Sequence, residues 1–322
     1  MQALTGIHHV TAITSSAEKI YRFFNDILGM RLVKKTVNQD DIQTYHLFFA
    51  DDQGNAGTDM TFFDFAGIPQ GVHGTNEISR TSFRVPDDEA VDYYLKRFET
   101  FDVKHEGIKE QFGRKVLPFE DFDGQRYQII SDEHDRGTAP GEPWKNGPVP
   151  ERYGIYGLGP VIIAVSQFTA FKAAFEQVYL FEETASEGQA HLFETAEGGN
   201  GASVIIIDDA ESSSAQQGYG TVHHVAFRVP DEAGLNEWID RLQEFGLPNS
   251  GYVDRFFFKS LYARLAAPLL FEIATDGPGF MGDEPYETLG EKLSLPPFLE
   301  SQRAVIEAQV RPIDTVRSVK GR

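Results

Sequence analysis

Residues 221–231 read TVHHVAFRVPD and residues 269–276 read LLFEIATD, and an earlier part of the chain repeats both runs. SFRVPD at 82–87 matches AFRVPD at 226–231, and YQIISD at 127–132 matches FEIATD at 271–276, each at an offset of 144 residues. A strand, a helix start at the Pro-Asp pair, an amphipathic helix and a closing strand therefore occur twice in the same order and length. An internal duplication outranks local propensity as evidence for a fold.

Working outward, IHHVTAIT at 7–14 reads as a strand, Ser15 and Ser16 cap an amphipathic stretch from Ala17 to Leu28, and Gly29 stops it. Strand-like runs follow at Arg31 to Thr36, Tyr45 to Phe49 and Met60 to Phe65. That is one βαβββ module. A third begins at Pro160 to Ser166, with a helix at Phe168 to Leu180 and strands at Ala190 to Thr195 and Ser203 to Asp208; its AHLF matches YHLF at 45–48 of the first. The expected fold is α+β: four βαβββ modules, duplicated twice, forming two cup-like barrels with helices outside. The expected boundaries are an N-terminal half at 1–133 (modules 5–66 and 78–133), a Pro- and Gly-rich linker at 134–154, a C-terminal half at 155–276 (modules 155–209 and 221–276), and a tail at 277–322 with one helix near Leu299 to Gln309.

Glu272 interrupts an apolar strand, where an unpaired carboxylate costs several kcal/mol. It needs a cation or a proton. Alternation along a strand places His224 with Ala226 and Arg228, Glu272 with Leu270 and Ala274, and His9 with Thr11 and Ile13, while His8 and His223 are expected on the opposite face. The duplication supplies a control: at the offset of 144, His224 falls on Arg80 and Glu272 on Gln128, and in the third module the counterpart of His9 is expected to be Val161. Only the first and fourth modules keep ligand-type residues. His9, His224 and Glu272 thus form a candidate two-His, one-carboxylate set, the facial triad of non-haem Fe(II) oxygenases; Mn(II) fits the same donors. Modules one and four must then share the metal cup. A fourth ligand would come from MTFFDF, with Phe62 or Phe63 in place, or Asp64 after a one-residue slip.

The composition narrows the partners. A net charge of −20 argues against nucleic acid or an anionic membrane surface. With no cysteine, any metal is held by His, Asp, Glu or Tyr. No run approaches the ~20 apolar residues of a membrane span, and MQALTGIHHV lacks the features of a signal peptide, so the expected location is the cytoplasm. A homodimer is a further expectation.

GIHHVTAIT, GTVHHVAFR, LLFEIATDGPGF and YETLGEKL together resemble the vicinal oxygen chelate superfamily (glyoxalase, bleomycin resistance and extradiol dioxygenase), and within it the hydroquinone-type ring-cleaving dioxygenases. The resemblance runs from His8 to the LGEKLSLPP segment. It implies an Fe(II) enzyme that opens hydroquinones or catechols with O₂, with His9, His224 and Glu272 as metal ligands. It also implies that His8, His223, Thr11, Arg255 and Tyr262 stand at or beside the substrate. Phe256-Phe257-Phe258 and Leu261-Tyr262-Ala263-Arg264 depart from the family's pattern, which alters the expected pocket wall. The alternatives are a glyoxalase-like metal-dependent isomerase or lyase, for which Asp64 is the residue to watch, and a small-molecule-binding resistance protein.

Overall fold

The computed structural model describes residues 1–265 and 268–317. Each module follows one plan. The first holds β1 (Ile7–Ile13), α1 (Ala17–Arg22, continuing as a π-helical stretch over Phe23–Leu28), β2 (Arg31–Asn38), β3 (Asp41–Ala50) and β4 (Asp59–Phe63). The second holds β5 (Glu77–Val85), α2 (Asp88–Thr100), β6 (Lys109–Gln111), β7 (Arg114–Glu120) and β8 (Arg126–Ser131). The third holds β9 (Gly157–Val165), α3 (Phe168–Ala174, with a π-helical end over Phe175–Tyr179), β10 (Glu182–Glu187), β11 (Ala190–Glu194) and β12 (Ser203–Asp208). The fourth holds β13 (Thr221–Val229), α4 (Glu232–Glu244), β14 (Val253–Asp254), β15 (Phe258–Ala263) and β16 (Phe271–Pro278).

The helix starts are where the capping chemistry puts them. Asp87 and Asp231, in the repeated VPD, accept hydrogen bonds from the backbone N–H of Ala90 and Gly234 at 2.8 and 3.0 Å. Ser16 does the same for Lys19, and Gly29 closes the first helical stretch in the left-handed conformation at φ 74°.

Two eight-stranded sheets result, in the orders β14-β15-β16-β13-β1-β4-β3-β2 and β10-β11-β12-β9-β5-β8-β7-β6. Modules one and four share the first, and modules two and three the second, as expected from the placement of His9, His224 and Glu272 in the first and last modules. The modules of each half also meet through their helices. Phe24 packs on Phe49 and Phe62 of the first sheet and on Phe83 and Tyr127 of the second, so one buried core runs between them.

The register of the central pair corrects the alternation argument. Ile7 pairs with Phe227 but His9 with Ala226, and Thr11 pairs with His224 but Ala12 with Val222. His8 and His223 are each the extra residue of a β-bulge, where two successive side chains share a face. Ile7 and Val10, like Val222 and Val225, point into the helix-facing core, and both members of each histidine pair turn into the cup. The same bulges recur between β5 and β9, at Ser79 and at Gly159-Pro160. They make Pro160, not Val161, the counterpart of His9. A Cβ on Gly159, the counterpart of His8, would lie 2.8 Å from Ile130 and 3.0 Å from Ser82, so the second cup is packed shut where the first is open.

The tail closes one end of the first cup. Phe280 and Leu289 pack with Phe48, Phe257 and Phe258, while Asp283 at 2.8 Å and Glu284 neutralise the fully buried Lys34 of β2. The expected helix is present as α5 (Arg303–Gln309).

Candidate metal centre and substrate cavity

β1, β13 and β16 lie side by side in the first sheet, and their inward side chains bring His9, His224 and Glu272 together. The Nε2 atoms of His9 and His224 stand 3.2 and 3.0 Å from Glu272 Oε2, and 3.3 Å from each other. All three side chains are buried. Ser260 on β15 donates to Glu272 Oε1 at 2.5 Å, which leaves Oε2 turned toward the imidazoles with no hydrogen-bond partner of its own among the described residues.

The neighbouring histidines set the tautomers. His8 Nε2 lies 3.0 Å from the carbonyl oxygen of Thr275, so it donates there, and its Nδ1 accepts from His9 Nδ1 at 2.9 Å. His9 Nε2 is then a bare lone pair facing a carboxylate. Two acceptors 3.2 Å apart in a dry site repel unless a cation lies between them, so the donor set fits a metal ion. His223 Nδ1 and His224 Nδ1 are paired in the same way at 2.8 Å.

Electrostatics agree. Burial alone would push the Glu272 carboxyl up, but positive charge on the facing imidazoles, His9 foremost, outweighs it and holds the carboxyl well below the usual carboxylate range, so the carboxylate calls for a cation at this point, either a proton on a ring or a metal ion in its place. Burial drives His8 and His223 down to about 3, helped by the adjoining His9 and His224 respectively, and lowers His224 against the pull of Glu272. These rings are neutral and available as ligands or acceptors at pH 7.

A cavity of about 320 Å³ opens over the triad, at the small end of the range for ligand pockets, roughly 300–1,000 Å³. Arg255, Tyr262 and His223 line it together with Phe48, Phe63, Phe257 and Phe258. At its mouth the β2–β3 turn grips the β14–β15 loop: Arg255 pairs with Asp40 at 2.9 Å, donates to the Tyr262 hydroxyl at 3.1 Å, and its carbonyl accepts from Gln39 at 2.8 Å. His8 lies behind His9 and against Phe258 and does not line the cavity. Thr11 is fully buried and does not line the cavity; its hydroxyl lies 2.7 Å from that of Thr61, itself fully buried, which bonds the cavity-lining His46.

The strand registers identify the fourth position. Glu272 pairs with Ala226, and the pseudo-symmetric partner of that pair is Thr61 opposite Thr11. The residue in place is Thr61, neither Phe62 nor Phe63, and Asp64 does not slip into it. Asp64 accepts from the backbone N–H of Tyr45 at 2.7 Å beside Arg311, and burial pushes its carboxyl up to about 6. His46, unassigned by the sequence reading, also lines the cavity, with Nε2 at 2.9 Å from the Thr61 hydroxyl.

The chain matches over nearly its whole length, at 42% identity across 315 residues (96% of this chain, 99% of the relative), the Bacillus subtilis (strain 168) protein named "Putative ring-cleaving dioxygenase MhqA". The model of the glyoxalase/bleomycin resistance protein/dioxygenase superfamily matches residues 6–129. The chain belongs to this superfamily. Within the superfamily it is also 30% identical, over 93% of its length and 94% of the relative's, to a Sphingobium indicum protein named chlorohydroquinone/hydroquinone 1,2-dioxygenase. A crystal structure of a "putative dioxygenase" from Bacillus subtilis superposes with a TM-score of 0.90 at 34% identity, covering 99% of this chain and all of that one. Glyoxalase I from Zea mays, at 12% identity and a TM-score of 0.60 over 86% of this chain and 93% of that one, shares the fold.

Proposed function

We propose that the protein is an Fe(II)-dependent, extradiol-type ring-cleaving dioxygenase acting on hydroquinones or catechols with O₂; Mn(II) suits the same donors. The observation that carries the reading is the fourth position. Three donors converge from one side and Thr61, a neutral hydroxyl, stands where a closed isomerase site would need a carboxylate ligand. The names of the relatives support the same chemistry and favour hydroquinones.

His9, His224 and Glu272 would hold an Fe(II), which would supply binding sites for a diol oxygen and O₂ and the redox chemistry that joins them. The chain's own residues do the rest. Phe48, Phe63, Phe257 and Phe258 give the ring an apolar bed from which water is excluded. Burial, followed by the Glu272 charge, raises the Tyr262 phenol, so it keeps its proton and can donate to an oxygen of the substrate. Arg255, fixed by Asp40, places a permanent positive charge where negative charge grows on the opening ring. His223 at the cavity wall, with Nδ1 engaged by His224, carries its proton on Nε2 and can donate to an oxygen of the substrate, and His8 holds His9 in the tautomer that presents Nε2.

The test is oxygen uptake by protein loaded anaerobically with Fe(II) and offered methylhydroquinone, chlorohydroquinone and catechol in turn. Uptake matched to loss of aromatic absorbance, and absent from His224→Ala, supports the reading and ranks the substrates. No uptake by protein shown to hold its metal would overturn it.

A further inference from the structure

His46 occupies a telling position in the repeat. Ser260, on β15, pairs with Ala274 and bonds the ligand Glu272; the equivalent residue of module one, on β3, is His46, which pairs with Phe63 and bonds Thr61, the equivalent of Glu272. The fold does not demand a polar pair there. In module three the registers put Ala190 and Ile205 in the places of His46 and Thr61. Module one thus replaces a serine-held carboxylate by a histidine-held threonine, on the side of the triad that has no fourth ligand.

The ring is fixed on three sides. Its centroid is 4.0 Å from that of Phe48 and 4.4 Å from that of Phe63, and Nε2 is tied to Thr61. Thr61 passes the chain to Thr11, which is fully buried and has no further side-chain partner among the described residues. The chain ends in the core, so it is no proton exit. Its effect is on the other ring nitrogen. Burial keeps the imidazole neutral, Nε2 is engaged, and Nδ1 has no partner among the described residues while the ring lines the cavity. Rotating the two hydroxyls lets Nε2 either donate to Thr61 or accept from it, so Nδ1 can face the cavity as an acceptor or as a donor. A phenol hydroxyl needs the first and a phenolate oxygen the second.

We propose that His46 binds the substrate, its Nδ1 hydrogen-bonding the oxygen of an aromatic diol seated over the open side of the triad. The inference rests on the reading of this cavity as a diol site. No proton leaves through the contact; it orients the ring and tolerates both protonation states of the oxygen.

The experiment is anaerobic titration calorimetry of Mn(II)-loaded protein with methylhydroquinone and with toluene, which fills the apolar bed but has no hydroxyl. His46→Phe is expected to weaken the diol about tenfold, the scale of one hydrogen bond, with toluene affinity, metal content and thermal midpoint unchanged. Thr61→Val, which leaves the ring in place but frees Nε2, is expected to weaken the diol about threefold in the same selective way. It also serves as the test if His46→Phe does not fold. Unchanged diol affinity, equal weakening of both ligands, or loss of metal would overturn the proposal while leaving a diol-binding wild type intact. A wild type that binds toluene but not the diol would overturn the diol reading, and this contact with it.

Discussion

Ser260 Oγ lies 2.5 Å from Glu272 Oε1, and that hydrogen bond aims the other carboxylate oxygen at His9 and His224. Both residues are fully buried, so no water replaces the hydroxyl if it is removed. Ser260→Ala is therefore expected to lower metal affinity by about 10–100-fold, the usual effect of losing a group that orients a ligand. Competition with a chelator measures it. An unchanged dissociation constant would show that β16 alone positions the carboxylate.

The same geometry predicts a metal-dependent stability. Without a cation, the His9 lone pair faces Glu272 Oε2 at 3.2 Å, and a metal ion relieves that contact. Mn(II) at 100 times its dissociation constant is expected to add about 2.7 kcal/mol to the unfolding free energy. Glu272→Gln should lose this increment, because the amide neither carries the charge nor presents two acceptors. Urea unfolding with and without Mn(II) is the measurement. Equal shifts in both proteins would place metal binding elsewhere.

The stability of the metal-free protein toward acid is a balance of two opposing sets of groups, and one member can be isolated. Burial lowers His8 and His223 to about 3, His46 well below its ordinary value, and His224 in the same direction. For these rings the unfolded chain binds protons below about pH 6.5 and the folded chain does not, so their contribution is complete above that pH and is lost as pH falls. Asp121 and Asp64 act the other way. Burial raises them to about 7 and about 6, so their contribution is complete below the unfolded carboxyl value and is lost as pH rises. Asp59 and Glu284 are also raised by burial and join the opposing side, so the comparison between variants isolates a single group. Between about pH 6.5 and 5 the urea midpoint of Asp121→Asn is expected to fall more steeply toward acid than that of the wild type, because one opposing group is removed. A shallower fall in that variant would contradict the assignment.

The triad and the sharing of one cup by the first and last modules were legible because the duplication made ligand-free copies available for comparison. The errors came from the bulges. Strict alternation turned His8 and His223 outward, yet the runs Ile7-His8-His9-Val10 and Val222-His223-His224-Val225 space their apolar residues by three instead of two, the signal of an extra residue in a strand. One such bulge also moved the counterpart of His9 from Val161 to Pro160, a residue that sheets tolerate at bulges. His46 was hidden by the match between YHLF and AHLF, which sets it against His191. The strand registers offset that match by one residue and put Ala190 there. Thr61 carried no signal in the sequence, since only the pairing of β1 with β4 shows that it faces the triad.

The topology makes a prediction about the halves. Residues 1–154 contain a helix-facing core of their own, with Phe24 between Phe49 and Tyr127, but β1 and β5 take their central neighbours, β13 and β9, from the other half. Separated, each half would expose two long strand edges rich in apolar residues, a template for aggregation, and neither would hold all three ligands. Fragment 1–154 alone is expected to aggregate and to bind no metal. Co-expression with fragment 155–322 is expected to restore a soluble pair with about one metal per complex, since the linker carries no strand of either sheet. Size-exclusion chromatography with metal analysis decides it. A monomeric, metal-binding N-terminal fragment would refute the shared cup.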